Sequence, residues 1–104
     1  MKNIFQVLYD LKRKPELYLG ALNLTYLYFF INGYLFRISD TSDSCSEKIR
    51  ELHFWLPNKT GIENENWLQN LLLAANYNEE EALKLFFHYL DIFLKEEHPE
   101  CLDW

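Results

Sequence analysis

Three histidines are the side chains with which a search for catalytic or metal-binding chemistry in this sequence begins. His53 shares a helical stripe with Ile49 and Leu56, which favours a histidine at the core boundary that one hydrogen bond satisfies. His88 stands among charged residues, and His98 follows two glutamates near the end of the chain. No HExxH motif is present and no two histidines share a helix face, so the sequence predicts no metal site.

The sequence also lacks motifs for nucleophilic catalysis and for phosphate binding. A GxSxG motif is absent, and Cys45 and Cys101 stand far apart with no CxxC pair, so neither a nucleophile nor a disulfide scaffold is predicted. Gly20, Gly33 and Gly61 are too widely spaced to build a phosphate-binding loop. We therefore expect a protein that is not an enzyme and that needs no cofactor.

The acidic residues offer a different chemistry, that of recognition. The formal net charge is -6, from 16 Asp and Glu against 10 Lys and Arg. Such a charge repels phosphate backbones and anionic lipid surfaces, so neither nucleic acid nor a membrane is expected as a direct partner. It attracts basic proteins, because opposite fields speed their encounter. The cluster Glu79–Glu81 is assigned to a helix start, where negative charge complements the helix dipole.

A partner-binding surface is predicted where acidic residues begin in a polar loop and continue along a helix. Glu47 and Glu51 are four residues apart and would share one helix face. Tyr34 is included because tyrosine is common at interface hot spots. The predicted surface comprises Asp40, Asp43, Glu47, Glu51, Glu63, Glu65 and Tyr34. For any single one of these carboxylates, an ordinary solubilising charge is an equally good interpretation.

The elements that must position these residues are predicted to be helices throughout. Asn3 and Gln6 form a capping box ahead of an amphipathic helix, which should stop at Lys14 because a residue before proline avoids helical angles. A short turn from Glu16 to Leu19 follows, ended by Gly20.

The next helix is predicted from Leu24 to Ile38, with a stripe of aliphatic side chains. Phe29, Phe30 and Phe36 would thicken this stripe until nearly every side is apolar, which is typical of a helix with neighbours on more than one face. Gly33 is expected to let another backbone approach closely.

Three further helices complete the prediction. Ser44 and Glu47 would form a second capping box for a helix that Pro57 ends, and Asn64 would cap the following helix. Asn78 caps the last helix, whose apolar face runs to Glu96. The fold predicted for residues 1–104 is thus a compact, single-domain, all-α bundle of five to six helices, with the 24–38 and 79–96 helices at its centre.

The N-terminus and the longest apolar stretch bear on the cellular location of the protein. Met1 to Phe5 lacks the apolar core of a signal peptide. The stretch from Leu22 to Leu35 is interrupted by polar residues and is shorter than the roughly 20 apolar residues that span a bilayer. We therefore expect a cytoplasmic protein.

Several segments together resemble a group of small bacterial proteins. These segments are the basic, Pro- and Tyr-containing stretch 12–20, the apolar helix ending in Gly33 and Tyr34, Trp67, and the stretch 76–87. The chain is similar in them to immunity proteins of the kind found in contact-dependent growth inhibition. The resemblance implies a protein that binds and neutralises a cognate toxin domain, often a basic nuclease, and no catalytic residue carries over. The alternative is a non-enzymatic helical adaptor or regulatory protein acting as a homodimer.

Overall fold

The computed structural model describes residues 3–13, 23–37 and 44–101, and these residues form helices joined by short connections. The helices of eight or more residues are α1 (Ile4–Arg13), α2 (Leu24–Arg37), α4 (Leu52–Thr60), α5 (Trp67–Ala74) and α6 (Glu79–Glu97). The four-residue α3 (Ser44–Glu47) continues through a 3-10 turn (Lys48–Glu51) into α4, and a second 3-10 turn (Pro99–Cys101) follows α6. No strand occurs within the described ranges, and the predicted all-α bundle is confirmed.

Predicted caps account for the start of two helices. The Asn3 N–H donates to Gln6 Oε1 at 2.9 Å and the Gln6 N–H donates to Asn3 Oδ1 at 3.0 Å, which is the reciprocal capping box at α1. Asn78 Oδ1 accepts from the Glu81 N–H at 2.9 Å and begins α6. Both pairs satisfy backbone donors that a helix start leaves without intrahelical partners.

Ser46 adds a tertiary cap to α1. Its side chain is fully buried, and Oγ accepts from the Ile4 N–H at 2.8 Å. The second predicted capping box fell at Ser44, which lies within α3; its side chain is outside the described part of the structure. The contact that joins the 44–47 segment to α1 therefore comes from Ser46.

Two predicted helix boundaries were wrong. Pro57 does not end a helix but lies inside α4, which runs on to Thr60 and ends at Gly61 with a left-handed φ of 76°. The Gly61 N–H donates to Pro57 O at 3.0 Å. Leu56 is completely buried, so packing and this bond hold the last turn despite the N–H that proline lacks.

The cap of α5 is the second correction. Asn66, not Asn64, precedes the helix, and its Oδ1 accepts from the Gln69 N–H at 3.0 Å. Asn64 Oδ1 instead accepts from the Asn66 N–H at 3.0 Å and shapes the turn that leads into the cap. Both residues are good caps by type, and the local turn decides between them.

The core is aliphatic and aromatic, and α6 lies at its centre, in contact with α2, α4 and α5. Phe86 and Phe93 of α6 are buried, and the Phe86 ring stacks on that of Trp67 with centroids 5.0 Å apart. Glu79 at the start of α6 also joins α2, because its carboxylate accepts from Thr25 Oγ1 at 2.7 Å. The glutamate therefore lies near the positive ends of two helix dipoles.

Among the described residues α2 has neighbours along one face, whereas the sequence predicted neighbours on more than one face. Its aliphatic stripe packs toward α1, α5 and α6; the stripe is Leu24, Leu27, Ile31 and Leu35. Phe29 is 65% exposed and Phe36 is 83% exposed. Among the described residues no atom lies within 4 Å of the position that a Cβ on Gly33 would take, so no backbone approaches it there.

The two cysteines, which gave no sign of a disulfide in the sequence, form one in the structure. Cys45 in α3 is bonded to Cys101 in the C-terminal 3-10 turn, with Cα atoms 5.7 Å apart. The sequence did not indicate this disulfide. Spacing along the chain could not show this pair, because the fold of α4 to α6 brings the ends of a long segment together.

Some predictions lie outside the described residues. These are the end of the first helix at Lys14, the turn from Glu16 to Leu19 with Gly20, the extension of α2 to Ile38, and the loop that contains Asp40 and Asp43.

Candidate functional site: the surface around Phe54

Phe54 lies at the centre of the surface that best fits a partner. It projects from α4 with 73% of its area exposed, between two shallow depressions that it helps to line. The first, of about 280 Å³, is lined by His53, Phe54, Pro57, Glu63, Asn64 and Glu65. The second, of about 320 Å³, is lined by Glu51, Phe54, Trp55, Asn58, Phe93 and Glu97. We call these residues together the Phe54 surface.

Asn70 fixes the loop that carries Glu63 and Glu65. Its side chain is completely buried, and Nδ2 donates to Ile62 O at 2.9 Å and to Asn64 O at 3.1 Å. Its Oδ1 accepts from Thr60 Oγ1 at 2.7 Å. A buried amide whose oxygen and nitrogen are both hydrogen-bonded stabilises one loop conformation, because any other would leave polar groups unpaired.

His53 holds the other end of the same loop. Its Nδ1 lies 2.7 Å from the carbonyl oxygen of Glu65 and 3.2 Å from the backbone nitrogen of Trp67; it donates to the first in one ring tautomer or accepts from the second in the other, so one of the two hydrogen bonds forms at a time. The ring is half-buried at the edge of the core. The predicted boundary histidine is therefore confirmed, and its ring connects α4 to the residues that precede α5.

His98 organises the opposite side of the surface. Its Nε2 lies 2.7 Å from Glu51 Oε1 and its Nδ1 lies 3.3 Å from Glu100 Oε1, while the ring packs edge-on against Phe93 at 5.4 Å. Hydrogen bonding to its own backbone, and secondarily to His98, lowers the pKa of Glu100 against an opposing effect of desolvation. The histidine thus links the C-terminal turn to Glu51.

The Phe54 surface carries more negative than positive charge. Glu63, Glu65 and Glu97 form no ion pair with any residue in the described ranges. The nearby Lys59 is already engaged, because its Nζ lies 2.9 Å from Glu96 Oε1 and 5.2 Å from the centroid of the Trp55 ring. An exposed aromatic ring edged by unpaired carboxylates has the composition of an interface core with a charged rim.

The structure brings together three of the predicted binding residues and leaves the others apart. Glu51, Glu63 and Glu65 come from two segments and meet around Phe54. Glu47 pairs with Arg50 instead, its carboxylate 2.8 Å from Nε, since the intervening residues form a 3-10 turn in which positions three apart coincide. Tyr34 is half-buried on α2 and packs against the core. The remaining two predicted residues, Asp40 and Asp43, lie outside the described residues.

Phe54 itself was missed by the sequence reasoning. It falls off the stripe formed by Ile49, Leu52 and Leu56, all three of which are buried. A large apolar residue on the polar side of an amphipathic helix is a signal that could have singled it out.

Metal-binding clusters and membrane-spanning helices are absent from the described part of the chain. No group of three or more His, Cys, Asp and Glu residues is placed there to hold a metal ion. His88 lies on α6 with its ring edge-on to Tyr89 at 5.2 Å, and it lines neither depression of the Phe54 surface. None of the helices within these ranges combines the length and apolar content needed to cross a membrane.

Comparison of the chain with protein-family models, with curated proteins and with solved structures finds no match.

Proposed function

We propose that this protein neutralises a bacterial toxin by binding the toxin domain through the Phe54 surface. The observation that supports the proposal is Phe54 itself, 73% exposed and edged by Glu51, Glu63, Glu65 and Glu97. An aromatic ring contributes most to the free energy of binding when a partner covers it and excludes water around it. The carboxylates around it would select a partner of positive charge.

A nuclease domain is the toxin that these charges fit. Such a domain must hold phosphates and is commonly basic, so an acidic protein of net charge -6 is steered to it over a distance of several ångströms. The loop anchored by Asn70 presents Glu63 and Glu65 in one conformation, which reduces the entropy lost on binding. The proposed binding surface therefore keeps Glu51, Glu63 and Glu65 of the predicted one, adds Phe54 and Glu97, and leaves out Glu47 and Tyr34. Asp40 and Asp43 lie outside the described residues.

The proposed location of this protein is the cytoplasm, where it would bind the toxin before the toxin acts. Cytosolic reductants keep most thiols reduced, so Cys45 and Cys101 would be held there as neighbouring thiols, whereas an oxidising compartment would keep the disulfide. Alkylation of thiols in intact cells, followed by mass measurement of the protein, reports which form is present. A fully oxidised pair would contradict the cytoplasmic location.

The test uses the toxin domain encoded beside this chain. The two proteins are co-expressed, co-purified and assayed for rescue of growth, and affinity is measured for Phe54→Ala and for the double variant Glu63→Gln/Glu65→Gln. We expect Phe54→Ala to weaken binding by at least about tenfold, as for a hot-spot residue. The double variant should weaken it most at low salt, because screening reduces the contribution of surface charges.

A matched control is the double variant Glu80→Gln/Glu81→Gln. It makes the same change in net charge at the exposed start of α6, away from Phe54. The proposal requires the control to bind like the unaltered protein. Equal loss of affinity in both double variants would contradict the proposed surface, and absence of any complex with the neighbouring gene product would contradict toxin neutralisation itself.

A further inference from the structure

The outward side of α2 is an aromatic face that no described element covers. Tyr26 is 57% exposed, Phe29 65%, Phe30 38% and Phe36 83%. Positions 26, 29, 33 and 36 are spaced by three, four and three residues, which is the spacing of the contact positions in a pair of packed helices. We define the aromatic face as these four rings together with Gly33. It lies opposite the aliphatic stripe by which α2 joins the core.

This face differs from the Phe54 surface in charge. The α2 sequence contains one charged residue, Arg37 in its last turn, and none from Leu24 to Phe36. A basic toxin would gain no electrostatic attraction from such a face. A second copy of this acidic chain, however, could approach it without bringing like charges into contact. The neutral face thus allows another copy as the occupant, and the choice of that copy rests on shape and area.

Gly33 gives the aromatic face a shape that fits the same face of a second copy. It lies between Phe29 and Phe36 on the exposed side, with open space where a Cβ would stand. A missing side chain at the middle of a helix face lets a second helix come close, and the rings on either side can fill the space beside it. Around a two-fold axis near Gly33, each copy would offer the other both the notch and the rings that fill it.

The area is sufficient for such a pair. With about 200 Å² for each aromatic side chain, the exposed parts of the four rings amount to roughly 500 Å². Two copies that bury all of this area would remove about 1,000 Å² from water, which is the lower limit for a specific interface. A patch of this size matches the largest apolar patch of a typical monomer, and such patches are often binding sites.

We propose that the chain forms a symmetric homodimer through the aromatic face of α2. This inference is independent of the proposed function, since it concerns a different surface and can hold whether or not a toxin is bound. Association should be of moderate strength, with dissociation constants in the micromolar range expected from so small an interface. The Phe54 surface is not required for it.

The experiment is sedimentation equilibrium of the full chain between about 1 and 100 µM, a range chosen to bracket that affinity. The unaltered protein is compared with Phe29→Ser, Phe36→Ser and Phe54→Ser. All three positions are exposed, so circular dichroism should show the same helical content for each. We expect Phe29→Ser and Phe36→Ser to raise the dissociation constant at least about tenfold, while Phe54→Ser leaves it unchanged.

Gly33→Ala provides a second, independent measurement. The added methyl group meets no described atom in the monomer, so helix propensity predicts an equal or higher melting temperature for a dilute sample. The same methyl group fills the notch and should weaken the dimer. An unaltered protein that stays monomeric at about 100 µM overturns the proposal. So does a dimer that Phe54→Ser disrupts as strongly as Phe36→Ser.

Discussion

Reduction of the Cys45–Cys101 disulfide should destabilise the protein strongly. The bond closes a loop with a sequence separation of 56. In the chain-entropy model, a loop of this length lowers the free energy of folding by about 4 kcal/mol through its restriction of the unfolded chain. That is a large share of the 5–15 kcal/mol by which domains are typically stable.

Urea unfolding followed by tryptophan fluorescence measures this effect. Trp67 is buried and stacked on Phe86, so its emission reports loss of the core. With a urea dependence of about 2 kcal/mol per molar, reduction should lower the midpoint by about 2 M. The Cys45→Ser variant should unfold at the midpoint of the reduced protein, with or without reductant.

Two results would refute the reasoning. Unfolding curves of oxidised and reduced protein that coincide would show that the cross-link contributes no stability. Two alkylatable thiols in protein purified without reductant would show that the bond does not form in solution. The Cys45→Ser curve separates these outcomes from direct effects of the reductant on the rest of the chain.

Two further predictions concern positions where sequence reasoning gave no warning of a tertiary role. Asn70→Ala removes three hydrogen bonds and leaves the carbonyl groups of Ile62 and Asn64 unpaired, so the free energy of unfolding should fall by about 3 kcal/mol. The control Gln69→Ala, on the exposed side of the same helix, should change that free energy by under about 0.5 kcal/mol. Equal effects of the two substitutions in thermal unfolding would contradict the anchoring role of Asn70. Tyr77 adopts a φ of 63° with its ring exposed, so Tyr77→Gly should raise stability by about 1 kcal/mol. Tyr77→Ala keeps the Cβ and should give no such gain; a similar gain from both would show that backbone strain is not the cause.

Local sequence determined the helices and several of their ends. The capping pairs at Asn3 and Asn78 involve residues three apart, and a hydrogen bond of that range depends on little else. The aliphatic stripe of α2 was likewise readable from its spacing, because the period of the helix decides which side chains share a face. Where two adjacent signals competed, as at Asn64 and Asn66, the same reasoning chose the wrong residue.

The candidate site needed the tertiary structure, because its parts come from distant segments. The sequence suggested Glu51, Glu63 and Glu65 by charge, but their convergence around Phe54 depends on how α4 packs against α5 and on the loop that Asn70 anchors. The sequence also grouped Glu47 with Glu51 by α-helical spacing, whereas a 3-10 turn follows Glu47 and its carboxylate pairs with Arg50.

Hydrophobic pattern alone determined that this chain buries a helical core, and it could not determine which apolar side chains remain outside. Rings occur on nearly every side of α2, yet its neighbours in the described part of the chain lie on one side, and Phe29 and Phe36 stay exposed. The pairing of Cys45 with Cys101 likewise depends on how distant segments pack together. Period and capping depend on residues a few positions apart, whereas burial and pairing depend on which distant surfaces meet, and only the folded chain decides that.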